Sequence, residues 1–211
     1  MEYLHYPQKG SIRFGKIAFS ETELKDLALA WVAISLAFGF IIPSYLQTDL
    51  GFFQAFLISL LTVGIGFIFH ELGHKVIAQR YGAWAEFRAW KQMLIFAVIL
   101  AYLVKVIFAA PGAVMIAGRT IGKSRNGKIS AMGPFINFII AALFIPLVFL
   151  FPGTIFSLIG KAGAQINTWL GLFNLIPFAM FDGKKIFQWN KGIYAGLVVI
   201  GFVLMLSQSI I

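Results

Sequence analysis

The sequence predicts an all-α polytopic membrane protein with about five to six transmembrane segments and a small membrane-associated β or re-entrant element. Hydrophobic residues make up 60% of the 211 residues, charged residues only 12%, and the mean hydropathy is +0.87. Soluble domains carry about a quarter charged residues. A chain of this length accommodates five or six spans of about 20 residues each and no substantial soluble domain besides.

The first 26 residues form a polar segment ahead of the apolar part of the chain. They contain no apolar stretch that resembles the core of a cleavable signal. The chain has no cysteine, which excludes disulfides and thiolate metal ligands within it. We therefore divide the chain into a polar cytoplasmic segment at 1–26 and a single transmembrane domain at 27–211.

Five apolar stretches of the transmembrane domain have the length of a membrane span. The predicted spans are Leu27–Leu46, Gly51–Arg80, Ser130–Phe151, Gly163–Phe181 and Gly192–Ile211. The net charge of +9 comes from basic residues that flank these stretches, which favours orientation in a cell membrane over binding of nucleic acid. The positive-inside tendency puts the N-terminus in the cytoplasm and the short link near Asp49 outside.

The stretch between the second and third predicted spans is less regular. Residues Trp84–Trp90 alternate between two faces as a strand does, although an interfacial loop accounts for their aromatic side chains equally well. Met93–Ala117 is apolar but contains Lys105 and a Pro-Gly break, so it either crosses the membrane or enters it and returns. Basic clusters on both sides favour re-entrance, because crossing would put one cluster outside.

The second span runs into the pentapeptide His70–His74, whose two histidines lie one helical turn apart on one face. Both imidazoles can therefore bind one metal ion. Glu71 lies between them and can act as general base on a water that the metal activates. Ionisable residues in an apolar span usually mark function. The alternative is a chance match at a helix end, yet two of the chain's three histidines fall in this pentapeptide.

A catalytic zinc takes three protein ligands, so the third has to come from another segment. His5 is the one remaining histidine and lies in the polar tail. The charge distribution puts Asp49 on the opposite side of the membrane and Asp182 on the same side as the histidines. Asp182 is therefore the best candidate, followed by Glu86 and His5. Asp182 can alternatively be a helix-end carboxylate that pairs with a neighbouring lysine.

These motifs together resemble the site-2 protease family, the zinc intramembrane metalloproteases. The HExxH sequence is followed by Asn174–Pro177 and Asp182-Gly183, which are similar to the family's NxxPxxxxDG motif. Gly133–Asn137 matches its GPxxN element, and Ala110–Ala113 is similar to a segment of its compact archaeal members. The resemblance covers about residues 50–185.

The resemblance implies a zinc endopeptidase that acts in regulated intramembrane proteolysis, with one catalytic zinc ion. It implies His70, His74 and Asp182 as the zinc ligands and Glu71 as the general base. The substrates would be membrane proteins, single-span ones first, and the active site would lie toward the cytoplasmic side of a multi-pass protein in the cell membrane.

An intramembrane peptidase has to hold an unwound segment of its substrate, because a helix hides its carbonyls and lipid offers no replacement hydrogen bonds. We expect a strand edge near Trp84–Trp90 to supply these bonds by β-addition. Asn137 and Asn174 either bind the substrate backbone or the oxyanion, or link neighbouring spans.

Two other protein classes account for part of the pattern. A prenyl-protein protease also carries HExxH, but no histidine follows His74 to complete the ExxxH pattern of that class. A transporter or channel would use the intramembrane His, Glu and Asp residues to bind ions.

Overall fold

The computed structural model describes residues 12–15, 17–107, 111–118 and 121–208. Most of these residues are helical, and two short antiparallel strand pairs accompany the helices. In chain order the elements are β1 (Ile12–Phe14), β2 (Ile17–Phe19), α1 (Glu21–Gly39), α2 (Ile42–Tyr45), α3 (Phe52–Ser59), a π-helical turn (Leu60–Gly64), α4 (Ile65–Arg80), β3 (Trp84–Ala89), α5 (Lys91–Val104), β4 (Gly112–Ala117), α6 (Lys123–Leu150), α7 (Ile155–Asn174), α8 (Asp182–Trp189) and α9 (Lys191–Ser207).

One helix of 29 residues, Phe52–Arg80, combines α3, the π-helical turn and α4 and carries the histidine motif. Its most apolar window has a mean hydropathy of 2.2, and that of the 28-residue α6 reaches 2.3. At 1.5 Å per residue both helices are long enough to cross a hydrocarbon core of about 30 Å. The other predicted spans overlap α1, α7 and α9 only in part, since α1 ends at Gly39 and α7 at Asn174, so a total of five or six spans stays a prediction.

Small residues let three other helices approach the long helix closely. A Cβ atom at Gly64 would collide with side chains of α1, one at Gly66 with a side chain of α7, and one at Gly73 with a side chain of α6. The main hydrophobic core accordingly combines residues of α1, the long helix and α7. The long helix is therefore closely packed against three other helices, although Phe69 beside the first histidine is 51% exposed.

The predicted strand at Trp84–Trp90 is present as β3. It pairs antiparallel with β4, with Trp84 opposite Ala117 and Ala89 opposite Gly112. The alternative of an interfacial loop is therefore wrong. Alternation of apolar and polar side chains identified the strand, but its partner lies more than 20 residues away and has no comparable alternation.

The segment between the two paired strands returns to the end from which it leaves. It runs out along α5, and the chain then adopts a left-handed conformation at Lys105 (φ 57°), which ends the helix. On its return the Trp90 backbone N–H donates to the Pro111 carbonyl at 3.0 Å. The two ends of the segment therefore lie side by side, and its re-entrance into a membrane stays a prediction.

Asp182 starts a separate short helix instead of ending a long span. The predicted span reached Phe181, but α7 ends at Asn174 and α8 begins at Asp182. Pro177 lies in the link between them and cannot continue a helix, because it has no backbone N–H and clashes with the preceding turn. Ala179 in the same link has a left-handed backbone (φ 51°), which helps to turn the chain.

The polar N-terminal segment contributes regular structure as far as it is described. β1 and β2 form a strand pair, and Ser20 caps α1 by accepting a hydrogen bond from the Glu23 backbone N–H at 3.1 Å. The boundary that the sequence suggests after residue 26 therefore falls inside α1. His5 lies outside the described residues.

The return path of the α5 segment predicts the sidedness of two introduced cysteines. Arg80 ends α4 ahead of β3 and Lys123 starts α6 after β4, and both side chains are exposed. The natural chain has no cysteine. We expect Arg80→Cys and Lys123→Cys to react with an impermeant thiol reagent from the same side of a membrane, and Asp49→Cys from the other side. Labelling of positions 80 and 123 from opposite sides would mean that the segment crosses.

Candidate metal centre

Three buried side chains from two distant segments converge on one point. His74 Nε2 lies 3.0 Å from Asp182 Oδ2 and 3.1 Å from His70 Nε2, and the distance from His70 Nε2 to Asp182 Oδ2 is 3.4 Å. The three residues are between 6% and 8% exposed. Their ligand atoms all lie within 4.8 Å of one another, so one metal ion can contact all three.

The second nitrogen of each imidazole is held by an oxygen atom. His70 Nδ1 lies 2.6 Å from Asn137 Oδ1, and His74 Nδ1 lies 2.9 Å from the Ile129 carbonyl oxygen. Because these oxygens can only accept a hydrogen bond, each ring is assigned the tautomer protonated at Nδ1, with the Nε2 lone pair directed toward Asp182. Two such lone pairs and a carboxylate are a donor set that suits a catalytic zinc ion.

Asp182 reaches the two histidines because the link before α8 folds tightly. Gly183 follows it directly, and a Cβ atom there would collide with the Leu175 carbonyl at the end of α7. The glycine after the aspartate therefore lets α8 start close to the end of α7. Lys185 Nζ lies 3.7 Å from Asp182 Oδ1 and its side chain is 42% exposed, so the lysine partner considered from the sequence is present at the other carboxylate oxygen.

Asn137 is fully buried behind His70 and uses its amide within the protein. Besides contacting His70 Nδ1, it donates from Nδ2 to Asn167 Oδ1 at 3.0 Å and to the Gly66 carbonyl at 3.3 Å. Asn174, by contrast, donates to the Leu170 carbonyl of its own helix at 2.9 Å. Of the two asparagines predicted for substrate contact, Asn137 therefore touches a ligand side chain and links α4, α6 and α7.

Gly133 is a site residue whose role the sequence did not reveal. A Cβ atom at this position of α6 would lie 2.5 Å from Cε1 and 2.6 Å from Nε2 of His70, and 2.6 Å from Cε1 of His74. The α6 backbone thus passes directly over both imidazoles, and any larger residue would displace them. The GPxxN element contained this information, but nothing in the sequence indicates which side chains the glycine meets.

Glu71 is buried beside the centre without being one of its three converging ligands. Its carboxylate has a hydrogen bond from the backbone of Val114 in β4. The other acidic candidate, Glu86, instead pairs with Arg88 two residues along β3. The structure therefore selects Asp182 over Glu86 as the carboxylate brought to the histidines.

Comparison with known proteins gives one informative match. No family model matches the chain, and no solved structure matches it. Over 189 residues it is 42% identical to a protein of Methanocaldococcus jannaschii that bears the name "Putative zinc metalloprotease", and the alignment covers 88% of this chain and 95% of that protein. The chain belongs to that zinc metalloprotease family. Zinc is its cofactor, and the buried cluster of His70, His74 and Asp182 is able to bind it.

Asp182→Ala tests the ligand set. Loss of one of three protein ligands should weaken zinc binding well beyond the 10–100-fold that loss of an outer-shell contact costs, so this variant should purify folded and largely free of zinc. Zinc per mole of monodisperse protein is the measurement, and Lys184→Ala and Lys185→Ala are controls that should keep the metal. If Asp182→Ala holds zinc with wild-type affinity, the third ligand is another residue, with Glu86 and His5 the remaining candidates.

Asn137→Ala tests the support of His70. With its Nδ1 partner removed, His70 should lose its fixed orientation, and zinc affinity should fall about 10–100-fold. Asn174→Ala is the matched control, because within the described residues that amide bonds to its own helix turn and its loss should leave the affinity unchanged. Competition with a metal chelator measures both, and equal affinities for the two variants would contradict the role of Asn137.

Proposed function

We propose that the protein is an intramembrane zinc endopeptidase that hydrolyses peptide bonds within or near transmembrane segments of membrane proteins. The observation that carries the proposal is the location of the zinc-binding cluster. Two of its side chains come from a 29-residue helix with a mean hydropathy of 2.2 in its most apolar window. A peptidase centre on such a helix is placed to act on segments that are themselves apolar.

The outer surface of the helices supports a membrane location. Large apolar side chains are more than 60% exposed on several helices: Phe53, Ile95, Leu103, Leu143, Leu150 and Leu206. Contiguous apolar surface on this scale is costly in water and is covered by lipid in membrane proteins. Basic residues occupy the end of α4 and the starts of α6 and α8, which favours a cytoplasmic position for the centre.

The residues of the centre have two roles in amide hydrolysis, metal binding and proton transfer. His70, His74 and Asp182 hold the zinc ion. When bound, zinc polarises the scissile carbonyl and lowers the pKa of the attacking water to about 7. Glu71 accepts the proton of that water as general base and then donates it to the leaving amine as general acid.

The substrate strand is expected to add to β4 and not to β3. On β3 itself, the outward backbone N–H groups of Phe87 and Ala89 already donate to carboxylates of α1, which favours the other edge of the strand pair. Within the described residues no strand pairs with the outer edge of β4. The outward backbone of Val114 on that edge already bonds to Glu71, so a strand added along the rest of the edge would lie beside the general base.

Cleavage by reconstituted protein tests the proposed function. Glu71→Gln should keep zinc and lose cleavage of a single-span membrane substrate in liposomes by about 100-fold or more, because only the proton acceptor is removed. Glu21→Gln is the control, since that exposed carboxylate pairs with Lys25 on the surface of α1 and its variant should cleave normally.

Three results would contradict the proposal in different ways. Near-normal cleavage by Glu71→Gln would exclude Glu71 from the mechanism. Rapid cleavage of a soluble unfolded peptide with none of the membrane substrate would leave a zinc peptidase that does not act within membranes. Ion flux into the liposomes that depends on Glu71, without any cleavage, would favour the transporter alternative.

A further inference from the structure

The outer edge of β3 is closed by side chains rather than by another strand. The Phe87 backbone N–H donates to Glu23 Oε1 at 3.0 Å, and the Ala89 backbone N–H donates to Asp26 Oδ2 at 3.2 Å. Both carboxylates come from the first turns of α1. Two acceptors one helical turn apart thus satisfy two outward N–H groups that lie two residues apart on a strand.

A lysine of the zinc-binding helix completes this closure. Lys75 Nζ donates to Glu23 Oε2 at 2.7 Å and to the outward carbonyl of Ala85 in β3 at 2.8 Å. Lys75 and Glu23 are both fully buried. Each therefore contacts β3 directly and also contacts the other, so that α1, α4 and β3 are tied together at one point.

Lys75 connects this contact to the metal centre through its position in the sequence. It follows His74 directly and extends away from the metal centre toward β3, while His74 faces Asp182. A buried ion pair is often no more stable than apolar residues that fill the same space, and in some proteins such a pair fixes one arrangement among several. In this protein the pair fixes the position of the β3–β4 sheet relative to α4, the helix that carries His70, His74 and Glu71.

We propose that Glu23 and Lys75 are a positioning pair that closes the outer edge of β3 and holds the sheet in register with α4, so that substrate adds to β4 beside Glu71. This inference rests on the proposed function for its substrate, whereas its structural part does not. The pair touches neither the zinc ligands nor the substrate. Its loss should therefore weaken substrate binding at the sheet and leave the zinc centre intact.

Kinetics of Glu23→Gln test the proposal on the full-length protein in liposomes with a single-span substrate. The substituted amide keeps an acceptor for the Phe87 backbone N–H but leaves the buried Lys75 without its counter-charge. We expect stoichiometric zinc, kcat close to wild type, and a KM raised about tenfold, the factor that corresponds to one or two hydrogen bonds at a binding edge. A purely structural role would instead lower the amount of folded enzyme and kcat with KM unchanged.

The double variant Glu23→Gln/Lys75→Gln tests whether removing both charges restores substrate binding. It also keeps the proposal testable if the single variant does not fold. Two neutral amides keep an acceptor for Phe87 and a donor for Ala85 without a buried unpaired charge. KM should therefore return most of the way to wild type. Ile34→Ala, a core truncation on the same helix α1, serves as the control for lost stability and should not raise KM.

Backbone hydrogen exchange tests the same pair without any substrate. Amides of residues 84–89 should exchange faster in Glu23→Gln than in wild type and Ile34→Ala, and slower again in the double variant. This readout separates the two proposals, because it holds even if no substrate is cleaved by the wild-type protein. Unchanged exchange together with unchanged KM in Glu23→Gln would overturn the positioning role.

Discussion

Three lone pairs that face one another inside an apolar protein are the constraint on which the rest of the structure depends. The two Nε2 atoms and Asp182 Oδ2 lie between 3.0 and 3.4 Å apart, close enough that they repel one another unless a metal ion or a proton lies between them. Such a cluster cannot be held by the two histidines alone. α6 serves it in two ways, by the absence of a side chain at Gly133 and by the acceptor that Asn137 offers to His70.

Helix α4, which carries the histidines, consequently has two polar faces that contact different parts of the protein. One face directs His70 and His74 toward Asp182, and the other directs Lys75 toward β3 and α1. Each of these polar groups needs a partner within the protein, because a buried polar group without one is costly. The close packing of α1, α6 and α7 at its glycines meets that requirement. The zinc centre and the strand pair are therefore parts of one packed unit.

Local patterns in the sequence predicted the features that depend on few residues. The spacing of His70 and His74 and the alternation of Trp84–Trp90 each have a direct geometric meaning, and the structure agrees with them. The basic clusters on both sides of α5 predict re-entrance into a membrane, which stays a prediction. The third ligand could also be chosen, because few acidic residues lie outside the tail. The break between α7 and α8 was missed, although Pro177 indicated it, because the apolar composition of the link continues that of the span.

Features that depend on contacts between distant segments could not be predicted in this way. Glu23 and Lys75 are 52 residues apart, and neither has a neighbour in the sequence that suggests a buried pair. The role of Gly133 could not be predicted for the same reason, because a glycine indicates close packing without identifying the side chains that pack against it. We therefore expected an open edge at β3, because the sequence of the strand does not show that side chains of α1 satisfy its outward N–H groups.

Hydrogen-bonding capacity offers a more general way to choose between structural and substrate-binding roles in such a site. A polar group in an apolar medium is engaged either by the protein or by a ligand, because leaving it without a partner is costly. The amide of Asn137 already uses its oxygen and both hydrogens within the protein, so it has little left for a substrate. The outward backbone groups of β4 have no strand partner within the described part of the chain. Under the proposed function, a backbone edge rather than Asn137 would therefore hold the substrate strand, whatever the side chains of that strand.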